Sequence, residues 1–235
     1  RNATLSRVFA RRAWQAGNQR RLLEAFPRSA AAAHHAEALA FVALALAESR
    51  QDASWCLDAL RARPRDFYAN VWLPVLESIV QSQPTQDRLK AFDAAARAFA
   101  REPVFAYLRG EALAQLGRAD EARGLWRSVY DSQLSSGWAL PMLRVCETYL
   151  AEARADEAVR AATDALSIGG NSLAAGFALL RAQCMSAETG RPLPDPVGAL
   201  TRLDRAIEQI TLLPDPATAR DMLSQLQPGR VALLV

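Results

Sequence analysis

The 235-residue chain is short of most residue types that build chemical sites. It has three cysteines (Cys56, Cys146 and Cys184), 90 and 38 residues apart, with no CxxC pair, which excludes a disulfide scaffold or a zinc module. Only two histidines occur, the adjacent His34 and His35, which on a helix point about 100° apart and do not both ligate one metal; His34 with Glu37 could, but the pair reads rather as a helix start. Neither a GxGxxG or GxxxxGK[ST] phosphate loop, nor a GxSxG elbow, nor an HExxH pair is present, so enzymatic readings lose their usual support. The longest uncharged apolar run, Ala38 to Ala47, falls short of the roughly 18 to 20 residues that span a bilayer. Lysine is nearly missing: Lys90 stands against 27 arginines, which reads as the coding bias of a GC-rich, bacterial genome.

Alanine is what the chain has instead. Its 48 alanines against 11 glycines, with few aromatic and β-branched residues, favour helices over strands. Charge is uneven: residues 1–28 hold seven arginines against Glu24, and the remainder carries a small acidic excess. Arg7, Arg11, Arg12, Arg20 and Arg21 form a basic patch that could meet a phosphate backbone or an acidic surface. Phe9, Trp14 and Phe26 read as core rather than as base-stacking rings, so nucleic acid is not expected.

The pentapeptide Arg118-Ala119-Asp120-Glu121-Ala122 recurs 36 residues later as Arg154-Ala155-Asp156-Glu157-Ala158. Around the first copy stand Gly110, Gly117, Ala122, Trp126 and Val129, and around the second Cys146, Tyr149, Ala153, Ala158 and Ala165. This pattern resembles the tetratricopeptide repeat, with small residues at positions 8, 20 and 27, glycine near 15 and a large ring at 24. The match is close over Pro103–Ser136 and Ala139–Ser172 and looser elsewhere, where Ala53, Ala91 and Ala199 take position 20 and Ala98 a further small slot. The acidic pairs read as helix starts, with Asp at the N-cap and Glu in the first turn, rather than as catalytic carboxylates.

The resemblance implies an all-α fold: a right-handed α-solenoid of stacked antiparallel helix pairs, with no strand. Pairs are expected over 1–33 (basic, turning at Gly17-Asn18), 34–66, 67–102, 103–138, 139–174 and 175–213, and a capping helix and tail over 214–235. An insertion is expected at Gly190–Pro196 and a helix stop at Pro228-Gly229. It also implies a ligand groove lined by the first helix of each pair: here His35 and Val42, then Tyr107, Glu111 and Gln115, then Leu143, Glu147 and Leu150. Such a groove is mostly apolar with two carboxylates and suits an apolar helix or extended peptide. Alternatively it is covered in cis, for instance by Val231–Val235.

The function expected is a non-catalytic protein-interaction scaffold, with no cofactor and no catalytic or metal-binding residue, in a cytoplasmic bacterial protein. The rivals are a regulatory or substrate-recruiting domain of a multidomain enzyme, such as a glycosyltransferase, and a periplasmic or envelope assembly factor if a leader precedes residue 1. The start at Arg1 suits a piece of a longer chain.

Overall fold

A computed structural model describes residues 3–134, 137–169, 173–188, 196–211, 219–224 and 226. Its elements are α1 (Ala3–Gln15), α2 (Gln19–Ala25), a 3-10 helix (Arg28–Ala33), α3 (Ala36–Glu48), α4 (Ser54–Arg61), α5 (Phe67–Val80) and α6 (Thr85–Ala98). They continue with α7 (Pro103–Gln115), α8 (Ala119–Ser132), α9 (Leu140–Ala151), α10 (Ala155–Gly169), α11 (Leu173–Glu188) and α12 (Pro196–Thr211). No strand occurs among the described residues, and none of their helices is long and apolar enough to cross a membrane. The expected insertion, helix stop and Val231–Val235 tail lie largely or wholly outside the described residues.

Five of the helix pairs turn in the same way. After α1, α3, α5, α7 and α9 one residue enters the left-handed region: Gly17 (φ 66°), Arg50 (φ 55°), Ser82 (φ 51°), Gly117 (φ 76°) and Ala153 (φ 55°). The next residue's N–H then reaches back five positions: Asn18 to Ala13, Gln51 to Leu46, Gln83 to Ser78, Arg118 to Leu113 and Arg154 to Tyr149, at 2.8–3.1 Å. This is the Schellman closure, which satisfies carbonyls that the helix end leaves without partners. The left-handed residues stand 33, 32, 35 and 36 apart, a tighter period than the alanines that first suggested one. Only two are glycine, so the period is half hidden in the sequence.

The chain divides into two compact units, Arg1–Ala122 and Arg123–Val235, the boundary falling within α8. At the centre of the first lies α3, every residue of which from Ala36 to Leu46 is buried, as expected of a helix apolar on all sides. Helices α1, α4 and α5 pack on it, and α6 packs on α5 and α7. In the second unit α10 lies against both α9 and α11. Its buried stripe is alanine throughout, with Ala155, Ala158, Ala161, Ala162 and Ala165 at most 1% exposed, so the neighbouring helices approach closely. Beyond it, Leu180, Cys184, Leu203, Ala206, Ile210, Ala219 and Leu226 close a further apolar cluster.

Most of the expected small slots are filled as the repeat pattern implies. Gly110, Ala122, Cys146, Ala158 and Ala199 are buried, and Trp126 and Val129 are each 2% exposed. Two details differ. In α6 the buried residues are Phe92 and Ala95, while Ala91 is half-buried and Ala98 exposed, so the apolar face is turned by one residue. Helices α8 and α10 begin at Ala119 and Ala155, which places Asp120 and Asp156 inside the first turn rather than at the cap. There Glu121 and Glu157 pair with Arg118 and Arg154 at 2.6 Å, and the carboxylates sit at the positive end of the dipole.

Candidate interaction face

In the first unit, α1 runs along the face made by α3, α5 and α7. An element in a simple stack of pairs touches only its neighbours. Helix α1 reaches further, to Tyr68 of α5 and to Glu102 and Tyr107 of α7. Arg7, Arg11 and Trp14, four and three residues apart, share one side of α1 and make these contacts.

Two buried carboxylates receive the arginines. Glu37, in the first turn of α3, and Glu102, the N-cap of α7, have side chains 1% exposed. Glu102 is placed by its capping duty, accepting from the Val104 N–H at 3.3 Å. Arg11 Nη2 donates to Glu37 Oε1 at 3.0 Å and also to Glu102 Oε2. Arg7 stands 3.4 Å from the other Glu37 oxygen and donates to the Tyr68 hydroxyl at 2.7 Å. Each guanidinium also faces a ring, Arg7 over Tyr68 at 5.6 Å and Arg11 over Phe41 at 5.9 Å. Burial pushes the Glu102 carboxyl up to about 7; the charges of Arg11 and Arg7 and the Val104 N–H pull it down, and Glu37 adds to the rise.

Rings continue the face inward. Trp14 meets Phe41 at 5.6 Å and Tyr107 edge-on at 6.1 Å, Phe41 meets Trp72 at 5.5 Å, and Trp72 meets Phe105 at 4.6 Å. The ladder therefore joins α1, α3, α5 and α7. At its rim the Trp14 indole N–H donates to Glu48 at 3.2 Å. Beside the carboxylates, His35 caps α3 through Nδ1, which accepts from the Glu37 N–H at 3.2 Å, and its ring lies 5.1 Å from Tyr68.

The groove residues expected from the sequence are thus partly gathered and partly covered. Val42 is fully buried, and Tyr107 is 2% exposed beneath Trp14. His35 borders the arginine site, and Glu111 is half-buried. Gln115 is exposed and turns toward α6, where Arg88 donates to it at 2.6 Å. In the second unit Leu143 and Leu150 are 8% and 7% exposed, while Glu147 faces solvent and pairs with Arg144. Of the basic patch, Arg7 and Arg11 are committed to the buried carboxylates. Arg20 pairs with Glu24 at 2.9 Å in solvent, Arg21 lies over the Phe9 ring at 5.4 Å, and Arg12 is exposed. Sequence reading weighed Glu37 only as a metal partner for His34 and passed over Glu102, although a carboxylate opening an otherwise apolar helix, and another just before Pro103, were the available signals.

Other polar groups are spent within the fold. Arg123, Arg154 and Arg127 surround the Tyr149 ring at 4.6, 4.8 and 5.8 Å, and Arg123 pairs with Glu152 at 2.7 Å, tying α8 to the turn after α9. All three thiols are buried and free, Cys56 and Cys146 pushed up to about 12 and Cys184 to about 11 by burial. Among the described residues no group of three or more His, Cys, Asp or Glu could hold a metal ion. A cavity of about 780 Å³ opens between α1, α2 and the 3-10 helix, lined by Leu5, Phe9, Phe26, His34 and Arg63 among others. Its polar walls serve the backbone: Arg63 donates to the Ala31 and Ala32 carbonyls, and Asp66 caps α5. No protein-family model matches the chain, and no curated protein matches it.

Proposed function

We propose that this chain is a non-catalytic protein-interaction scaffold, a right-handed α-solenoid of tetratricopeptide-like helix pairs, working in the bacterial cytoplasm. The observation that carries this reading is the recurring turn: one left-handed residue and one five-back hydrogen bond, repeated at 33, 32, 35 and 36 residues. A pair closed in this way has two apolar sides and must stack, and repeated stacking displays a surface rather than a pocket for chemistry. The small buried residues Gly110, Cys146, Ala122 and Ala158 at corresponding places in two successive pairs support the same register. The surface offered for binding is that of the first helices, where Gln115 on α7 and Glu147 on α9 are exposed and His35 at the cap of α3 and Glu111 on α7 half-buried, with Val42, Tyr107, Leu143 and Leu150 buried beneath. An apolar helix or extended peptide is its ligand.

Affinity capture of native partners with the wild-type chain and with Gln115→Arg plus Glu147→Arg tests this. Both side chains are exposed, so the substitutions change the surface more than the fold. A protein retained by the wild type and lost from the variant supports the scaffold reading. Equal retention by both moves binding elsewhere.

A further inference from the structure

We propose that the cavity of about 780 Å³ between α1, α2 and the 3-10 helix binds a small uncharged amphiphile, with an aliphatic body and an amide head that donates and accepts hydrogen bonds side by side. This site goes beyond the scaffold reading and does not depend on it.

The walls set the body of the ligand. The volume lies within the roughly 300 to 1,000 Å³ of small-molecule sites. Leu5 and Phe9 of α1, Phe26 at the end of α2, and Ala30 and Ala33 of the 3-10 helix supply the apolar lining. Phe26 is 5% exposed and tilts against Phe9 with ring centroids 6.1 Å apart, so this side of the cavity is anchored in the core. The space is there because the 3-10 helix carries four consecutive alanines, Ala30 to Ala33, and buries none of them. Larger side chains would fill it. Leu5 stays 67% exposed beside the cavity, an apolar surface that an occupant would cover.

The polar side sets the head group. Arg63 is spent on the Ala31, Ala32 and His34 carbonyls, and Asp66 on the Ala69 N–H, so a charged head finds no unspent counter-charge. The two histidines on the wall each have one ring nitrogen engaged and one left over. His34 Nε2 lies 3.2 Å from the Pro27 carbonyl, which only accepts, so that nitrogen carries a proton and Nδ1 of the neutral ring is an acceptor. His35 Nδ1 accepts from the Glu37 N–H, so its proton sits on Nε2, which is a donor. Both rings are held in place, His34 edge-on to Phe26 at 5.0 Å and His35 edge-on to Tyr68 at 5.1 Å. Adjacent residues thus offer an acceptor and a donor to one apolar cavity. An amide presents the matching pair, its N–H for His34 and its carbonyl for His35, whereas a carboxylate only accepts and brings a charge.

The test uses the full chain with octanamide as probe, read by nuclear magnetic resonance of the histidine rings, which are the only two in the sequence. Before any ligand, ring nitrogen shifts should place the proton on Nε2 of both; a proton on His35 Nδ1 overturns the donor assignment. Octanamide should shift both rings saturably. Octanoate, and N,N-dimethyloctanamide with its N–H removed, should bind about ten-fold or more weaker. His35→Asn keeps an oxygen that can cap α3 while losing the Nε2 donor, and should weaken octanamide about ten-fold. Ala33→Phe should fill the cavity and abolish binding. The absence of any saturable shift up to about 1 mM octanamide, the weak end of specific binding, overturns the proposal, as does equal affinity for the three probes. Both comparisons use the wild-type chain and need no variant to fold. Binding retained by a folded Ala33→Phe chain also overturns it. Protein capture through Gln115 and Glu147 is unaffected by any of these results, so this inference and the scaffold reading fall separately.

Discussion

The buried Glu37–Arg11–Glu102 group is where single residues decide most. Removing one member of a buried ion pair leaves a charge in the core, so Arg11→Ala should lower stability by about 3 kcal/mol near neutral pH. The loss should grow with pH. Glu102 titrates near 7 when folded against an ordinary 4.5, so it holds its proton more tightly in the folded chain. Stability from that proton is fully present below about 4.5 and is lost as pH rises through about 7. Arg11 pulls the Glu102 carboxyl down, so without it a larger part of the burial cost is exposed at pH 8 than at pH 5. Melting curves of Arg11→Ala at those two pH values check this, and a pH-independent difference would contradict it. Glu102→Gln should flatten the melting profile between pH 4.5 and 7 by on the order of 2 to 3 kcal/mol. None of this was legible in the sequence, because Arg11 and Glu102 lie 91 residues apart and no local pattern joins them. Cys146, by contrast, was legible as the filler of a small slot in the repeat pattern, and it is fully buried.

At the scale of elements, α7 starts at Pro103, and α8 and α10 start at the alanines before the two acidic pairs, where proline and the repeated pentapeptide mark the sequence. The upstream turns were harder: Arg50 and Ser82 do the work of Gly117 without looking like it. A left-handed alanine costs roughly 1 to 2 kcal/mol, partly offset by the freedom that glycine loses on folding. Ala153→Gly should therefore raise stability by about 0.5 kcal/mol, and Gly117→Ala lower it by about 1 kcal/mol. Chemical denaturation of both variants reads the opposite signs. Opposite results would remove the shared turn from the argument. In α6 the register was misread by one residue, since a helix with alanine on several sides offers no unique small slot, and Phe92 rather than Ala91 faces inward. In α10 the register is firmer. Ala158 is fully buried in an alanine stripe between α9 and α11, and Ala158→Leu should cost about 1 to 3 kcal/mol by overpacking. An unchanged midpoint would mean that the helices do not approach closely there.

For the molecule as a whole, the recurrence of one turn at a near-constant spacing is the observation behind the proposed scaffold. The thiols give a simple test of integrity for any preparation: all three should resist an aromatic disulfide reagent in the folded chain and react fully in denaturant. Helical class and repeat period could be inferred from composition and one repeated pentapeptide; the covering of α3, α5 and α7 by α1 could not, since it depends on contacts beyond adjacent pairs. The central claim is that partners bind through the first helices of the pairs, and site-specific photo-crosslinking in cells tests it most directly. A photoreactive residue at Glu147 on α9, or at Gln115 on α7, should capture a distinct protein, while one at the exposed Arg97 of α6 should not. Capture from Arg97 alone, with none from Glu147 or Gln115, would contradict the account.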